Sequence, residues 1–316
     1  MKALDILTQL LELVAALAAA PLFLGWVNQC RAWLQNRRAP SIWLPYRGIR
    51  KLFHKEAVIA ENASALFRVT PYVVFGAMVL AAGIIPSMGT RLPFTVAADA
   101  IALVGLLAMA RVFQSLAAMD IGTAFGTLGA RREMMVGFLA EPALLMVIFV
   151  ASMISATTAL PAITENLADQ TLALYPSLAF TAVAFTLVLL AENARIPIDN
   201  PATHLELTMI HEAMLLEYSA RHLAMMEWAA ALKLFNYACI GFALFVPWGV
   251  STGAGNPVAL LASIPLLAMK LAVMGAGLAL IETLSAKVRV FRAPEFLASA
   301  FLFAVLGLLV HVLLGA

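Results

Sequence analysis

The sequence predicts an all-α fold, in which a polytopic bundle of eight transmembrane helices forms a single integral membrane domain over residues 1–316. Composition is the first reason: 63% of the residues are hydrophobic and 12% are charged, whereas soluble domains have about 45–50% and about 25%. The second reason is the presence of eight long apolar stretches, each close to the roughly 20 residues that cross a bilayer. The third is that no stretch alternates apolar and polar residues, as the strands of a membrane barrel do.

Turns rich in proline and glycine separate several of these stretches, for example at 86–89 and 253–257. Near the N-terminus, Asp5 and Glu12 stand where a cleaved signal peptide has positive charge, so we expect a retained helix there. The predicted spans are 4–27, 69–88, 94–116, 133–158, 171–191, 223–249, 257–284 and 295–315.

The distribution of basic residues supports this count of spans. Alternate connections carry 15 of the 20 Lys and Arg residues, whereas the remaining connections contain only Arg91. The positive-inside rule therefore predicts that both termini lie outside and that the basic connections are cytoplasmic. Their one-sided length and charge favour a docking face over plain solvated connectors. The predicted cytoplasmic connections are 28–68, 117–132, 192–222 and 285–294.

Several ionisable residues fall inside or near the ends of the predicted spans. Each costs roughly 2.5–3.5 kcal/mol at the centre of a membrane helix, so such residues normally face a polar interior or a partner. The alternative is that some extend to the membrane surface, which we expect for the one nearest a helix end, Glu282. The whole set is Arg111, Glu141, Glu227, Lys233, Lys270 and Glu282.

A polar segment at 191–206 is the most informative part of the chain. Its two prolines hold the backbone out of a helix until Asp199 or Asn200 can cap the next one. We expect that next helix to be amphipathic and to cover residues 202–222. Carboxylates grouped at a membrane boundary raise one another's pKa and can hold protons near neutral pH. The candidates on this helix are Glu206 and Glu217, on the face opposite His204, His211 and His222.

Several kinds of site are not expected in this chain. An iron–sulfur cluster needs about four thiolates, and Cys30 and Cys239 are the two cysteines present. The three histidines of 202–222 are two and three helical turns apart, which is a poor spacing for a metal. A net charge of +2 does not suggest a nucleic-acid partner, and no nucleophile–base pair is apparent. We therefore expect no cofactor, no metal and no catalytic residue.

Some of these residues also carry a resemblance to a known family. Together they resemble the signature of the subunit-1 family of respiratory complex I, and the similarity runs nearly from end to end. The residues that carry it are Glu192-Asn193-Ala194-Arg195-Ile196-Pro197, Asp199, Pro201, Glu206, Glu217-Tyr218-Ser219, Arg37-Arg38-Ala39-Pro40-Ser41, Pro45-Tyr46 and Arg289-Val290-Phe291-Arg292.

Within that family, the segments 119–126, 132–134, 140–142, 203–209 and 290–297 are similar to the branch linked to hydrogenases. This branch contains the membrane subunits of formate hydrogenlyase, hydrogenase-4 and related energy-converting [NiFe] hydrogenases. The complex I signature has an Ala-Pro-Phe-Asp-Leu-Pro run where this chain reads Ile196-Pro197-Ile198-Asp199-Asn200-Pro201. This difference argues against a quinone site.

The resemblance implies a non-catalytic subunit in a bacterial or archaeal cytoplasmic membrane, which links electron transfer to proton or sodium-ion movement. Its implied partners are the hydrogenase small and large subunits, antiporter-like membrane subunits and the lipid bilayer. The iron–sulfur clusters and the NiFe centre would belong to those partner subunits.

We assign three groups of residues to this hypothesis. The coupling residues are Glu192, Arg195, Asp199, Glu206 and Glu217; the inner polar path is Glu141, Glu227, Lys233 and Lys270; and the docking residues are Arg37, Arg38 and Arg292.

Two alternatives stay open. A complex of the same family could instead reduce a quinone bound in a cavity under 192–222. The chain could also be a stand-alone secondary transporter. Such transporters often contain internal repeats with paired broken helices, and the 191–206 pattern has no second copy in this sequence.

Overall fold

A computed structural model describes residues 2–93, 99–169, 176–199, 209–251, 257–286 and 292–314. Within these ranges the chain is almost entirely helical, and the residues outside helices form short connections. One isolated bridge joins Gly89 and Ser251. The helices are α1 Lys2–Leu34, α2 Leu44–Phe53, α3 Ala65–Ile84, α4 Ala100–Asp120, α5 Ala124–Ser155, α6 Leu160–Asp169, α7 Pro176–Glu192, α8 His211–Leu215, α9 Ala220–Phe245, α10 Pro257–Leu284 and α11 Ala293–Leu314.

The prediction of a polytopic helical membrane protein is confirmed. In the described residues, seven helices are long and apolar enough to cross a membrane, namely α1, α3, α4, α5, α9, α10 and α11. The remaining predicted span, 171–191, corresponds to α7, whose 17 described residues are also apolar. The two other helices longer than one or two turns, α2 and α6, lie in connections where none was predicted.

Polar side chains define where several of the spans begin. The Asp99 carboxylate accepts a hydrogen bond from the Ala102 amide at the start of α4. The Thr123 hydroxyl likewise accepts one from the Gly126 amide at the start of α5. These N-caps satisfy amides that the first helical turn leaves without partners. They therefore fix the starts of the two helices that carry three of the paired charges described below, Arg111, Glu133 and Glu141.

Helix α9 lies at the centre of the bundle and most of its residues are buried. It contacts α1, α2, α3 and α7, while α3 packs on α4, α4 on α5, and α5 on α7 and α11. Small residues allow close approach between helices, as is usual in membranes. At Gly241, for instance, an added Cβ would lie 2.9 Å from the ring of Phe185 on α7. Helix α10 packs mainly on α1, at one side of the bundle.

The helix expected over 202–222 is interrupted in the described residues. Residues 200–208, which include His204 and Glu206, lie outside the described residues. Beyond them, helix α8 covers only five residues, and α9 begins at Ala220 after a break. The Ser219 hydroxyl holds this break by donating to the Val58 carbonyl at 2.6 Å and accepting from the Val58 amide at 2.9 Å. His211 and His222 consequently lie on two different helices and share no face.

Candidate functional site

Arg111, near the middle of α4, is the centre of a buried ion cluster. Its guanidinium lies 3.0 Å from the Glu141 carboxylate and 3.4 Å from the Glu133 carboxylate, both on α5. It also pairs with Glu192 at the end of α7. Arg111 is 5% exposed. A guanidinium in such a place needs carboxylate partners, because an isolated buried charge is very costly.

Lys233 on α9 extends this cluster. Its ammonium lies 3.0 Å from the second carboxylate oxygen of Glu192, so Glu192 bridges the cations of α4 and α9. We define the interior cluster as Arg111, Glu133, Glu141, Glu192 and Lys233. Three of these five, Glu141, Glu192 and Lys233, were predicted site residues, and the fold brings them together.

Sequence reasoning missed Glu133 as a member of the interior cluster. Glu133 and Glu141 are eight residues apart, which is slightly more than two helical turns, so they share one face of α5. Between them lies Gly137, and an added Cβ at this position would contact the guanidinium of Arg111 and lie 2.8 Å from its Cδ. Because Gly137 has no side chain, the side chain of Arg111 has room to pass across α5 at this position. The spacing of Glu133, Gly137 and Glu141 was a usable sign of this arrangement.

A second buried cluster forms around Glu282 on α10. Its carboxylate pairs with Arg195 at 3.1 Å and with Arg31 of α1 at 3.6 Å. Glu282 is 3% exposed, so the expectation that its side chain extends to the membrane surface was wrong. The physical reason is that two guanidiniums from other parts of the chain converge on it. We define the Glu282 cluster as Arg31, Arg195 and Glu282.

Asp199 organises the segment between these clusters. Its buried carboxylate accepts hydrogen bonds from the amides of Ile210 and His211, both at 3.2 Å. These contacts fix the start of α8. They place the His211 ring 3.4 Å from the side-chain nitrogen of Gln114 on α4. Burial lowers the pKa of His211, which favours the neutral ring.

A cavity of about 780 Å³ joins both clusters. Glu192 and Lys233 of the interior cluster line it, and so do Arg31 and Arg195 of the Glu282 cluster. Its volume falls in the range of small-molecule sites. Helix α2, α8 and the first half of α9 form much of the wall, and further polar lining residues are Asn28, Asn193, Asp199, His211, Glu212 and Glu227.

The other predicted site residues lie apart from the two clusters. Glu227 is exposed and lines the cavity, whereas Glu217 lies in the break between α8 and α9. The Lys270 ammonium donates to the carbonyls of Val246 and Trp248, both at 2.6 Å, just beyond the end of α9. The predicted docking residues Arg37, Arg38 and Arg292 are exposed, and Glu206 lies outside the described residues.

In the part of the chain that the structure describes, no group of three or more His, Cys, Asp or Glu side chains is placed to hold a metal ion. Cys30 and Cys239 are both free thiols and buried. The chemistry that the site offers is therefore that of paired charges around a cavity.

The fold and the site define a multi-pass membrane protein with charged residues paired inside its helix bundle. The model of the NADH dehydrogenase family matches residues 7–313, and the chain belongs to this family, that of complex I subunit 1. Formate hydrogenlyase subunit 4 of Escherichia coli (strain K12) is 32% identical over 307 residues, covering 96% of this chain and 98% of that protein. Hydrogenase-4 component C of the same organism is 36% identical over 241 residues, covering 76% and 75%.

A solved structure has the same fold. A chain of the membrane-bound sulfane sulfur reductase, an archaeal respiratory membrane complex, matches with a TM-score of 0.83. The match covers 96% of this chain and 98% of that chain at 20% identity. The family match and the two relatives confirm the resemblance to the subunit-1 family of complex I and to its hydrogenase-linked branch. The protein is a membrane subunit of a hydrogenase-type or complex I-like respiratory complex.

Proposed function

We propose that this chain is the membrane-anchor and coupling subunit of a [NiFe]-hydrogenase or formate hydrogenlyase-type complex. It docks the iron–sulfur small subunit and links electron transfer to the movement of protons or sodium ions. The similarity to formate hydrogenlyase subunit 4, over nearly the full length of both chains, supports the type of complex. The observation that carries the coupling role is the interior cluster, because its formal charges do not balance.

The interior cluster has three carboxylates and two cations. When all five groups are ionised, one negative charge is unmatched in a place where water does not screen it. Such a cluster favours the uptake of one further cation, either a proton or a metal cation. Because the five charged groups are linked by ion pairs, a charge change near the cavity alters the electrostatic balance deeper in the bundle.

Glu192 is the link between the cavity and the bundle interior. One of its oxygens faces Arg111 and the other faces Lys233. When Glu192 takes up a proton, its two cations lose their shared partner and Arg111 is left with Glu133 and Glu141. An electron-transfer event in a docked subunit that changes the charge at the cavity would in this way move charge along the cluster.

The exposed part of the Glu141 side chain supports contact with a neighbouring membrane subunit. Its side chain is 33% exposed in the middle of α5, on the same face as Phe138, which is 79% exposed. Pro142 has no amide to donate to the Phe138 carbonyl. A carboxylate and a free carbonyl do not face lipid at mid-span without cost. We therefore place an antiporter-like subunit on this surface, where the ion path leaves the chain.

The peripheral subunits would dock on the cytoplasmic side, where the basic connections lie. Arg37 and Arg38 follow the end of α1, Arg292 precedes α11, and all three are exposed. In this arrangement both termini lie on the outer side of a bacterial or archaeal cytoplasmic membrane, as the positive-inside rule predicts.

Replacement of Glu192 by glutamine in the intact complex tests the coupling role. We expect hydrogen evolution and ion uptake into vesicles to fall together by tenfold or more, because the amide cannot hold the two cations. The matched control is Glu61→Gln, an exposed carboxylate outside both clusters. Unchanged rates of both processes in Glu192→Gln would remove the interior cluster from the mechanism. Glu206 and Glu217 can be tested by the same substitution and the same two measurements.

The cavity supports a second candidate function, that of a quinone-site subunit in a complex I-like oxidoreductase. Its volume of about 780 Å³ and its mixed apolar and charged lining suit an aromatic headgroup. Inhibitors that compete with quinones distinguish the two functions. They should leave electron transfer by the purified complex unchanged if it evolves hydrogen, and should block it if a quinone is the acceptor.

A further inference from the structure

We infer that α2 binds the headgroups of anionic phospholipids through Arg47, Arg50 and Lys51. None of these residues belongs to either ion cluster or to the predicted docking residues. The proposed function does not use this surface, which belongs to a helix of ten residues.

The two sides of α2 differ in character. On one side, Ile49 is buried and Pro45 and Leu52 are partly buried, and this side packs against α9 and α1. On the other side the three cations, spaced at i, i+3 and i+4, form one exposed face. The helix contains no acidic residue. Among the described residues, no ion pair reaches any of the three cations.

Helix α2 packs beside α1 and α9, and near its beginning it contacts the membrane-spanning part of α1. After α1 the chain turns back, so that the Gln29 side chain donates to the Pro40 carbonyl at 2.9 Å. The Tyr46 hydroxyl then donates to the carbonyl of Ala18. Helix α1 continues from Ala18 to Leu34, which is about 24 Å at 1.5 Å per residue. The beginning of α2 is therefore set back toward the bilayer.

Exposed aromatic side chains lie at both ends of α2. Trp43 and Phe53, at the two ends of α2, are 53% and 44% exposed. Phe53 makes an edge contact with Trp228 of α9, at 6.4 Å between ring centroids. Large aromatic side chains concentrate where the hydrocarbon meets the headgroups. An amphipathic helix with basic residues at this level is typical of anionic lipid binding.

The basic face of α2 lies at a different depth relative to the membrane than the predicted protein-docking residues. Arg37 and Arg38 follow the far end of α1 and are accessible to a peripheral subunit, whereas α2 lies at the level of the lipid headgroups. The opposite side of α2, including Pro45, Gly48 and Ile49, lines the cavity. A lipid bound to the outer face would therefore hold one wall of the cavity in place.

Native mass spectrometry of the intact complex, taken from nanodiscs of phosphatidylglycerol and phosphatidylethanolamine, tests the inference. In the triple variant Arg47→Gln, Arg50→Gln, Lys51→Gln we expect retention of phosphatidylglycerol to fall. The expected loss of affinity is about fivefold for each cation removed. Retention of phosphatidylethanolamine should not change. The variant Arg47→Lys, Arg50→Lys, Lys51→Arg keeps the charge and should keep the lipid.

The control variant Arg37→Gln, Arg38→Gln should retain the lipid and instead lose peripheral subunits. Lipids and subunits are counted in the same spectra, so a failure of the docking proposal is distinguishable from a failure of this one. Full retention of phosphatidylglycerol by the triple glutamine variant would overturn the inference. So would a loss of peripheral subunits with the lipid still bound, because α2 would then be a protein-docking surface. If the triple variant does not assemble, the three single glutamine variants are compared in the same way.

Discussion

Two buried glutamates in this molecule are held in different ways. Glu12 on α1 accepts hydrogen bonds from the Gly89 amide at 2.8 Å and the Ser87 hydroxyl at 3.1 Å. Glu192 on α7 is instead held by two cations, Arg111 and Lys233. Glu12 and Glu192 are 3% and 4% exposed, so burial alone does not distinguish their roles. Their partners differ. Neutral donors fix a loop around Glu12, whereas in the proposed function the two cations of Glu192 exchange partners when a proton arrives.

The surroundings of Glu12 support a structural role. The turn that it holds is also tied to the segment after α9, since the Ser251 amide donates to the Met88 carbonyl at 2.8 Å. The Thr90 amide donates back to the Ser251 carbonyl at 3.2 Å. Glu12 thus stabilises the connection between α3 and α4. Glu192, in contrast, lies where three helices and a cavity meet.

The largest expected effect comes from removing the shared cation of the interior cluster. Arg111→Gln leaves the interior cluster with three carboxylates and one cation, Lys233. Breaking a buried ion pair in this way costs about 3–5 kcal/mol, so we expect a large fall in the melting temperature of the detergent-solubilised complex and loss of ion uptake. Arg91→Gln changes an exposed arginine and is the control. Equal melting temperatures for the two variants would contradict the proposed burial of the cluster.

A smaller effect is expected from Gly137→Ala, which keeps every charge but fills the space that Arg111 crosses. Overpacking of this kind costs about 1–3 kcal/mol. The displaced guanidinium should also reduce hydrogen evolution and ion uptake together. Gly105→Ala on α4 is the matched control, because nothing lies within 4 Å of its added Cβ. Normal ion uptake in Gly137→Ala would show that the position of Arg111 relative to α5 does not matter for coupling.

The spans were predictable because membrane helices leave a strong local pattern of hydropathy. The charged residues inside them were also visible, and Glu141 and Lys233 were chosen for that reason. Glu192 was chosen instead for its place in the polar segment that follows the predicted span 171–191. The pairing of these residues was not visible, since it depends on which helices are neighbours in the bundle. Glu133 was overlooked because it stands at the first residue of the predicted span 133–158, where a charge costs little.

The errors in the prediction have the same origin. Glu282 was expected at the membrane surface because it lies near a helix end, but Arg31 and Arg195 converge on it from distant parts of the chain. The continuous helix over 202–222 was expected from local signals, namely the cap at Asp199 or Asn200 and the helical spacing of the residues that follow. Such signals do not reveal that the Ser219 side chain pairs with Val58, 161 residues away in sequence. Tertiary contacts of this kind override local propensity.

Asp199 offers a test of moderate size. Asp199→Ala removes the acceptor for the amides of Ile210 and His211, which should cost about 1 kcal/mol, as the loss of an N-cap does. We expect faster hydrogen exchange at these two amides and a weaker coupling of hydrogen evolution to ion uptake. Asp99→Ala removes the N-cap of α4 and should leave exchange in α8 unchanged. Protected amides at 210 and 211 in Asp199→Ala would mean that another contact holds α8.

The smallest effect is expected at Glu12, and it tests the comparison most directly. In Glu12→Gln the amide oxygen can still accept from the Gly89 amide, and the amide nitrogen can donate to the Ser87 hydroxyl. Stability should therefore fall by about 1 kcal/mol or less, with hydrogen evolution and ion uptake unchanged. The same substitution at Glu192 should lower both strongly, as proposed above, although the two carboxylates are equally buried. If Glu12→Gln instead stops ion uptake while the complex stays assembled, neutral partners do not mark a structural glutamate, and the ion path must extend to the turn at Gly89.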